Sequence, residues 1–133
     1  MTCRKEPRES LKILIVDDMT SMRKILRQQL ISLGFATIVE AKDALEAMQR
    51  MEFEVFDLVI SDWHMPAMSG FELLEFIRSQ KRHEETPFIM LTREAERESV
   101  LTARSAGVLH YLAKPFNVGA LEEKLRAALP VLT

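Results

Sequence analysis

Four places in the chain set a reactive side chain directly after a short apolar run. Asp17-Asp18 follow Leu11–Val16, and Ser61-Asp62 follow Leu58–Ile60. Thr92 follows Phe88–Leu91, and Ala113-Lys114-Pro115 follow Val108–Leu112. Three carboxylates crowded together repel one another and raise their own pKa values unless a cation neutralises them. A hard divalent ion with oxygen ligands does this, and Mg²⁺ in particular takes few protein ligands and keeps several waters. Such an ion leaves one carboxylate oxygen free to attack phosphorus. The Lys114 ammonium can then pair with one phosphoryl oxygen, and the Thr92 hydroxyl can donate to another. The set has the parts that phosphoryl transfer to a carboxylate requires. Taken singly, each part is ordinary: an Asp-Asp pair can be a turn or a cap for a helix starting near Thr20, and a Lys-Pro step can be only a turn. Their coincidence at four strand ends is what favours chemistry.

The elements that would position these residues follow from hydrophobic patterning. Five apolar runs, the four above and Phe35–Val39, are too short for helices and suit strands buried on both faces. Helical spacing lies between them. Met22, Ile25, Leu26, Leu30 and Leu33 share one face, with Gly34 as a C-terminal cap. Ala44, Met48 and Met51 mark a weaker helix after Asp43. Ser69-Gly70-Phe71-Glu72 has the spacing of a capping box and opens a helix carrying Phe71, Leu74 and Ile77. A mostly polar helix is expected over Ala95–Ala106, ended by Gly107. The last has Asn117 as N-cap, Val118, Leu121, Leu125 and Leu129 on its face, and Pro130 as its stop. Alternating strands and helices predict an α/β fold, a doubly wound five-stranded parallel sheet with five helices. Ligands of such sheets gather beyond the carboxyl ends of the strands, where the reactive residues stand.

Composition narrows the function further. The 133 residues carry 18 Lys+Arg against 20 Asp+Glu, a formal charge of −2, which argues against a broad nucleic-acid surface. A single cysteine, Cys3, permits neither an internal disulfide nor a four-thiolate zinc site. No apolar run approaches the ~20 residues that span a bilayer. The expectation is one cytoplasmic domain over residues 11–130, with a flexible leader at 1–10 and a short tail at 131–133. The four glycines form neither a phosphate-binding P-loop nor a dinucleotide fingerprint, so nucleotide binding is unsupported.

Ile13-Leu14-Ile15-Val16-Asp17-Asp18, Ser61-Asp62-Trp63-His64-Met65-Pro66, Thr92 and Ala113-Lys114-Pro115-Phe116 stand in the order and spacing of a known family. Over about residues 10–129 the sequence resembles the response-regulator receiver domains, and among them the single-domain chemotaxis regulators. Ser21-Met22-Arg23, Leu33-Gly34-Phe35, Phe71-Glu72-Leu73-Leu74 and Leu121-Glu122-Glu123-Lys124-Leu125 add to the similarity. The resemblance implies a flavodoxin-like sheet of order 2-1-3-4-5. It implies that Asp62 accepts phosphate from the phosphohistidine of a histidine kinase, and that the chain only promotes its own phosphorylation and dephosphorylation. Asp18, Asp62 and the His64 backbone carbonyl would ligate Mg²⁺, with Asp17 acting mainly through water. Lys114, followed by a cis bond to Pro115, would hold the phosphoryl group, and Thr92 and Tyr111 would form the switch. Arg97, Tyr111 and Lys124 would meet a phosphorylation-dependent target such as the flagellar motor switch. A phosphatase is a further implied partner, and the protein is expected to be a monomer that binds neither nucleic acid nor membrane.

The sequence also departs from that family. His64 stands where the chemotaxis regulators have Asn, and Arg93 where the family usually has a small residue. Both are expected to modulate the lifetime of the phosphorylated form. Ser69 replaces the usual Asp, and Glu96 stands where a Lys meets the motor, which keeps a phosphorelay or phosphate-sink role open. An aspartate-nucleophile phosphohydrolase is the rival from the enzyme class, opposed by the paired Asp17-Asp18 and by the lack of sequence for a cap domain. His83, in a charged stretch, is expected to be solvated, and His110 to lie in or beside the fifth strand.

Overall fold

Successive residues of a strand point to opposite faces of a sheet, so a strand with Ile, Leu and Val at every position must be covered on both sides. The computed structural model, which describes residues 7–93 and 110–130, shows this arrangement. Five parallel strands, β1 (Lys12–Val16), β2 (Thr37–Ala41), β3 (Leu58–Asp62), β4 (Phe88–Arg93) and β5 (His110–Lys114), form one sheet. Their order is β2-β1-β3-β4-β5, as the family resemblance implies. The described residues contain four α-helices: α1 (Thr20–Ser32), α2 (Ala44–Phe53), α3 (Gly70–Ser79) and α4 (Val118–Ala128). The further helix expected over Ala95–Ala106, with Arg97, lies outside the described residues, as does the start of the run Val108–Leu112.

Two cores flank the sheet. Ile13, Ile15, Leu58, Ile60 and Leu91 pack with Leu26 and Leu30 of α1 and with Leu121 and Leu125 of α4. Leu14, Val16, Val59 and Met90 face the other way, onto Ala44, Ala47 and Met51 of α2 and Leu73, Leu74 and Ile77 of α3. Each fully buried Leu or Ile contributes about 1.5–3 kcal/mol relative to exposure, which anchors the strand register.

The helix starts follow local polar chemistry. Asp43 accepts from the Glu46 N–H at 2.8 Å and Asn117 from the Ala120 N–H at 2.8 Å. Ser69 and Glu72 form the expected capping box. α1 differs: Met19 is its N-cap and offers no side-chain bond. Asp17 instead accepts the Met19 N–H at 2.9 Å, so neither aspartate of the pair is the cap itself. Gly34 leaves α1 at φ 101°, a left-handed conformation that suits glycine.

Two expectations need amending. Residues Arg8–Ser10, within the stretch read as flexible, form a turn of 3-10 helix. Arg8 donates to the Leu33 carbonyl at 2.8 Å, pairs with Glu122 at 2.8 Å and lies over the Phe35 ring. Its hydrogen bond is the main reason that the Glu122 carboxyl sits below its ordinary pKa. His83 is not solvated but 3% exposed, and its Nε2–H donates to the Met51 carbonyl at 2.7 Å. The cause is the end of α2, whose last carbonyls lack helical partners; Arg82 serves the Glu52 carbonyl likewise, at 3.1 Å.

Candidate functional site

Strand register assembles the site. Val16 pairs with Ser61 and Asp62 with Leu91, so the residues after β1 and the end of β3 reach the same edge of the sheet. Thr92 pairs with Ala113 and Arg93 with Lys114 one and two steps further along. The strands run past the ends of the apolar runs, so Asp62, Thr92, Arg93 and Lys114 belong to the strands themselves and inherit their rigidity.

Carboxylate oxygens of Asp17, Asp18 and Asp62 all lie within 4.8 Å of one another. Asp17 is fully buried and Asp62 is 7% exposed, whereas Asp18 faces solvent. Lys114 Nζ stands 3.0 Å from Asp62 Oδ1 and 3.4 Å from Asp17 Oδ2. The bond from Lys114 to Pro115 is cis. The carboxylates frame a cleft of about 630 Å³ whose wall includes Asp18, Asp62, His64, Arg93 and Lys114, with an apolar rim of Met19, Met22, Met65, Pro66 and Pro115. Opposite corners of a Mg²⁺ octahedron are ~4.2 Å apart, so the all-oxygen donor set fits a small hard cation.

Two residues outside the expected set hold this arrangement. Arg23 of α1 donates from Nη1 to the Asp17 carbonyl at 2.6 Å, and from Nε to Glu40 of β2 at 3.1 Å. Arg27 holds the other Glu40 oxygen at 2.6 Å. Burial alone would raise the Glu40 pKa, but Arg27 and then Arg23 overcome that and bring it below 4.5. The second residue is Gly70, the first of α3, whose N–H donates to the Trp63 carbonyl at 2.8 Å. A β-carbon at Gly70 would lie 2.2 Å from the Asp62 carbonyl oxygen. Arg23 was visible in sequence only as part of the Ser21-Met22-Arg23 match, and Gly70 only as a capping-box position.

The structure thus brings Asp17, Asp18, Asp62 and Lys114 together, with His64 and Arg93 on the same cleft. Thr92 is buried beside it in β4 and is not part of the wall. Tyr111 is half-buried on β5, against the core under α2 and α3. Lys124 is half-exposed on α4 and acts on His110, in β5 as expected. Burial first, and the Lys124 charge second, lower the His110 pKa.

Three clustered aspartates and a lysine at the carboxyl edge of a 2-1-3-4-5 sheet suit several phosphoryl chemistries. A family model decides among them: the response regulator receiver domain matches residues 13–126. This chain belongs to that family. The receiver is similar to the chemotaxis protein CheY-3 of Vibrio cholerae, at 44% identity over 117 residues, which are 88% of this chain and 90% of the relative. Among solved structures it is similar to the chemotaxis response regulator CheY4 of Vibrio cholerae, with a TM-score of 0.82 at 35% identity, covering 90% of this chain and 98% of that one. A third likeness is the receiver domain of the sensor histidine kinase PA1611 from Pseudomonas aeruginosa, with a TM-score of 0.81 at 28% identity over 90% of this chain and 98% of that one. That structure has a magnesium ion coordinated in its active-site cleft.

The protein is therefore a CheY-like receiver of two-component signalling, a class that works by phosphorylation-dependent switching. CheY-like receivers are signalling proteins that interact with histidine kinases and downstream targets, rather than classical enzymes. Among the described residues, no helix is long and apolar enough to cross a membrane.

Proposed function

We propose that this receiver takes a phosphoryl group onto Asp62 from the phosphohistidine of a chemotaxis-type histidine kinase. One observation carries the reading: Lys114 Nζ at 3.0 Å from Asp62 Oδ1, inside a group of three carboxylates at a strand-end cleft. In the transfer, an Asp62 oxygen attacks phosphorus, the P–O bond forms, and the P–N bond to the donor imidazole breaks. Asp18, Asp62 and the His64 carbonyl would hold Mg²⁺, with Asp17 acting mainly through water. When bound, the metal offsets the charge that gathers on the phosphoryl oxygens. Lys114 pairs with one of those oxygens, and the Thr92 hydroxyl donates to another once the group is in place. Tyr111 then turns inward and reshapes the face of β5 and α4, where Lys124 stands. This face meets the target, and Arg97 is a further contact residue; the chemotaxis likeness favours the flagellar motor switch as that target. The same site promotes its own hydrolysis, and a phosphatase sharpens that step. The likeness to CheY proteins supports action in the cytoplasm.

The test is phosphotransfer. A chemotaxis-type kinase carrying radiolabelled phosphohistidine is mixed with the receiver in Mg²⁺. Label should pass to the receiver within seconds to minutes; label that stays on the kinase, or leaves it equally fast without the receiver, would contradict the proposal.

A further inference from the structure

Arg93 is the charged residue of the cleft that the chemistry above does not use. It closes β4, its register partner on β5 is Lys114, and both side chains line the cleft with Asp62. Two cationic side chains therefore share the cleft with Asp18 and Asp62, and Lys114 reaches both Asp62 and Asp17. A phosphoryl group on Asp62 presents three acceptor oxygens and a charge of about −2, where the carboxylate had −1. An ammonium meets that group as a point charge. A guanidinium offers a flat fork of donors that can grip two of its oxygens together. Before phosphorylation, the same fixed charge repels an incoming divalent cation.

We propose that Arg93 is a second phosphoryl-binding residue, which grips the group on Asp62 beside Lys114 and opposes entry of the divalent metal into the unmodified site. The inference rests on Asp62 as the acceptor. It gives two effects of opposite sign from one side chain, and loss of a merely structural residue would not produce that pattern.

Beryllofluoride, a tetrahedral mimic of the phosphoryl group, and Mg²⁺ alone are the probes. Trp63, the only tryptophan, adjoins Asp62 and is half-buried, so its fluorescence reports both, with calorimetry as the second readout. Arg93 is exposed, so Arg93→Ala should stay folded. Arg93→Ala should bind Mg²⁺ several-fold more tightly and, at saturating Mg²⁺, bind beryllofluoride about ten-fold more weakly. Arg93→Lys should keep the wild-type Mg²⁺ affinity and recover only part of the beryllofluoride affinity. Beryllofluoride binding that is unchanged in Arg93→Ala, or both affinities moving in the same direction, would overturn the assignment of Arg93. Wild-type protein that binds no beryllofluoride in Mg²⁺ would overturn instead the reading of Asp62 on which it stands.

Discussion

Gly70 passes so close to Asp62 that a β-carbon on it would stand 2.2 Å from the Asp62 carbonyl oxygen and 3.0 Å from Met90 Sδ. The methionine tip can move, but the carbonyl belongs to a central strand. Gly70→Ala should therefore displace the start of α3 or the end of β3, at a cost of about 1–3 kcal/mol. The site should suffer with it, because Asp62 is the residue pushed. Urea denaturation and the rate of labelling by a small phosphodonor check both; an unchanged midpoint would show that the loop yields freely.

The Arg23–Glu40–Arg27 clamp makes a pH prediction. Glu40 is held below 4.5 in the fold, so its stabilisation is complete above that pH and is lost as pH falls through 4.5 toward the folded value. Glu40→Gln should lower stability at neutral pH by no more than ~1 kcal/mol, since the carboxylate is partly exposed. The gap between wild type and variant should close as pH drops from about 6 to about 3. Melting curves that stay equally separated across that range would contradict the clamp. Because Arg23 also fixes the Asp17 carbonyl, Arg23→Met should weaken Mg²⁺ binding as well.

Crowded Asp17, Asp18 and Asp62 should make the unmodified protein respond to metal. Mg²⁺ at 100-fold over its Kd adds about 2.7 kcal/mol to stability, and each kcal/mol raises Tm by roughly 3 °C in a domain of this size. Asp18→Ala should lose more of this gain than any single change outside Asp62. It should also melt at or above the wild-type temperature without metal, through relief of repulsion. A melting curve indifferent to millimolar Mg²⁺ would count against the metal site.

Thr92 and Tyr111 couple the site to its surface only if a partner prefers one state. Thr92→Ala should accept phosphate yet lose most of the phosphorylation-dependent gain in target affinity, read by binding of the beryllofluoride-treated protein. Equal gains in variant and wild type would place the switch elsewhere.

The site was legible because its residues end separate strands, and strand ends of a parallel sheet share an edge whatever their distance in sequence. Asp62, Thr92 and Lys114 needed only the apolar runs before them to be placed. What stayed hidden was contact between elements. The donation from Arg23 to a main-chain oxygen has no signature in residue type, and Gly70 looked like an ordinary first helical residue until its distance to Asp62 was known. His83 misled for a related reason. Its charged neighbours suggested solvent, but its own place was set by an unpaired carbonyl at the end of α2, 32 residues earlier in the chain. Arg8 likewise gained its role from Glu122, which only tertiary packing brings near.

The proposed phosphotransfer turns on one oxygen atom of Asp62. Wild-type protein and Asp62→Asn are incubated with a radiolabelled small phosphodonor in Mg²⁺, and the phosphate is mapped by its lability and by peptide. The account predicts an acyl phosphate, labile to hydroxylamine, on the peptide containing Asp62, with no label on a folded Asp62→Asn protein. Label retained by that variant at the wild-type rate, or mapped to another residue in the wild type, would contradict it.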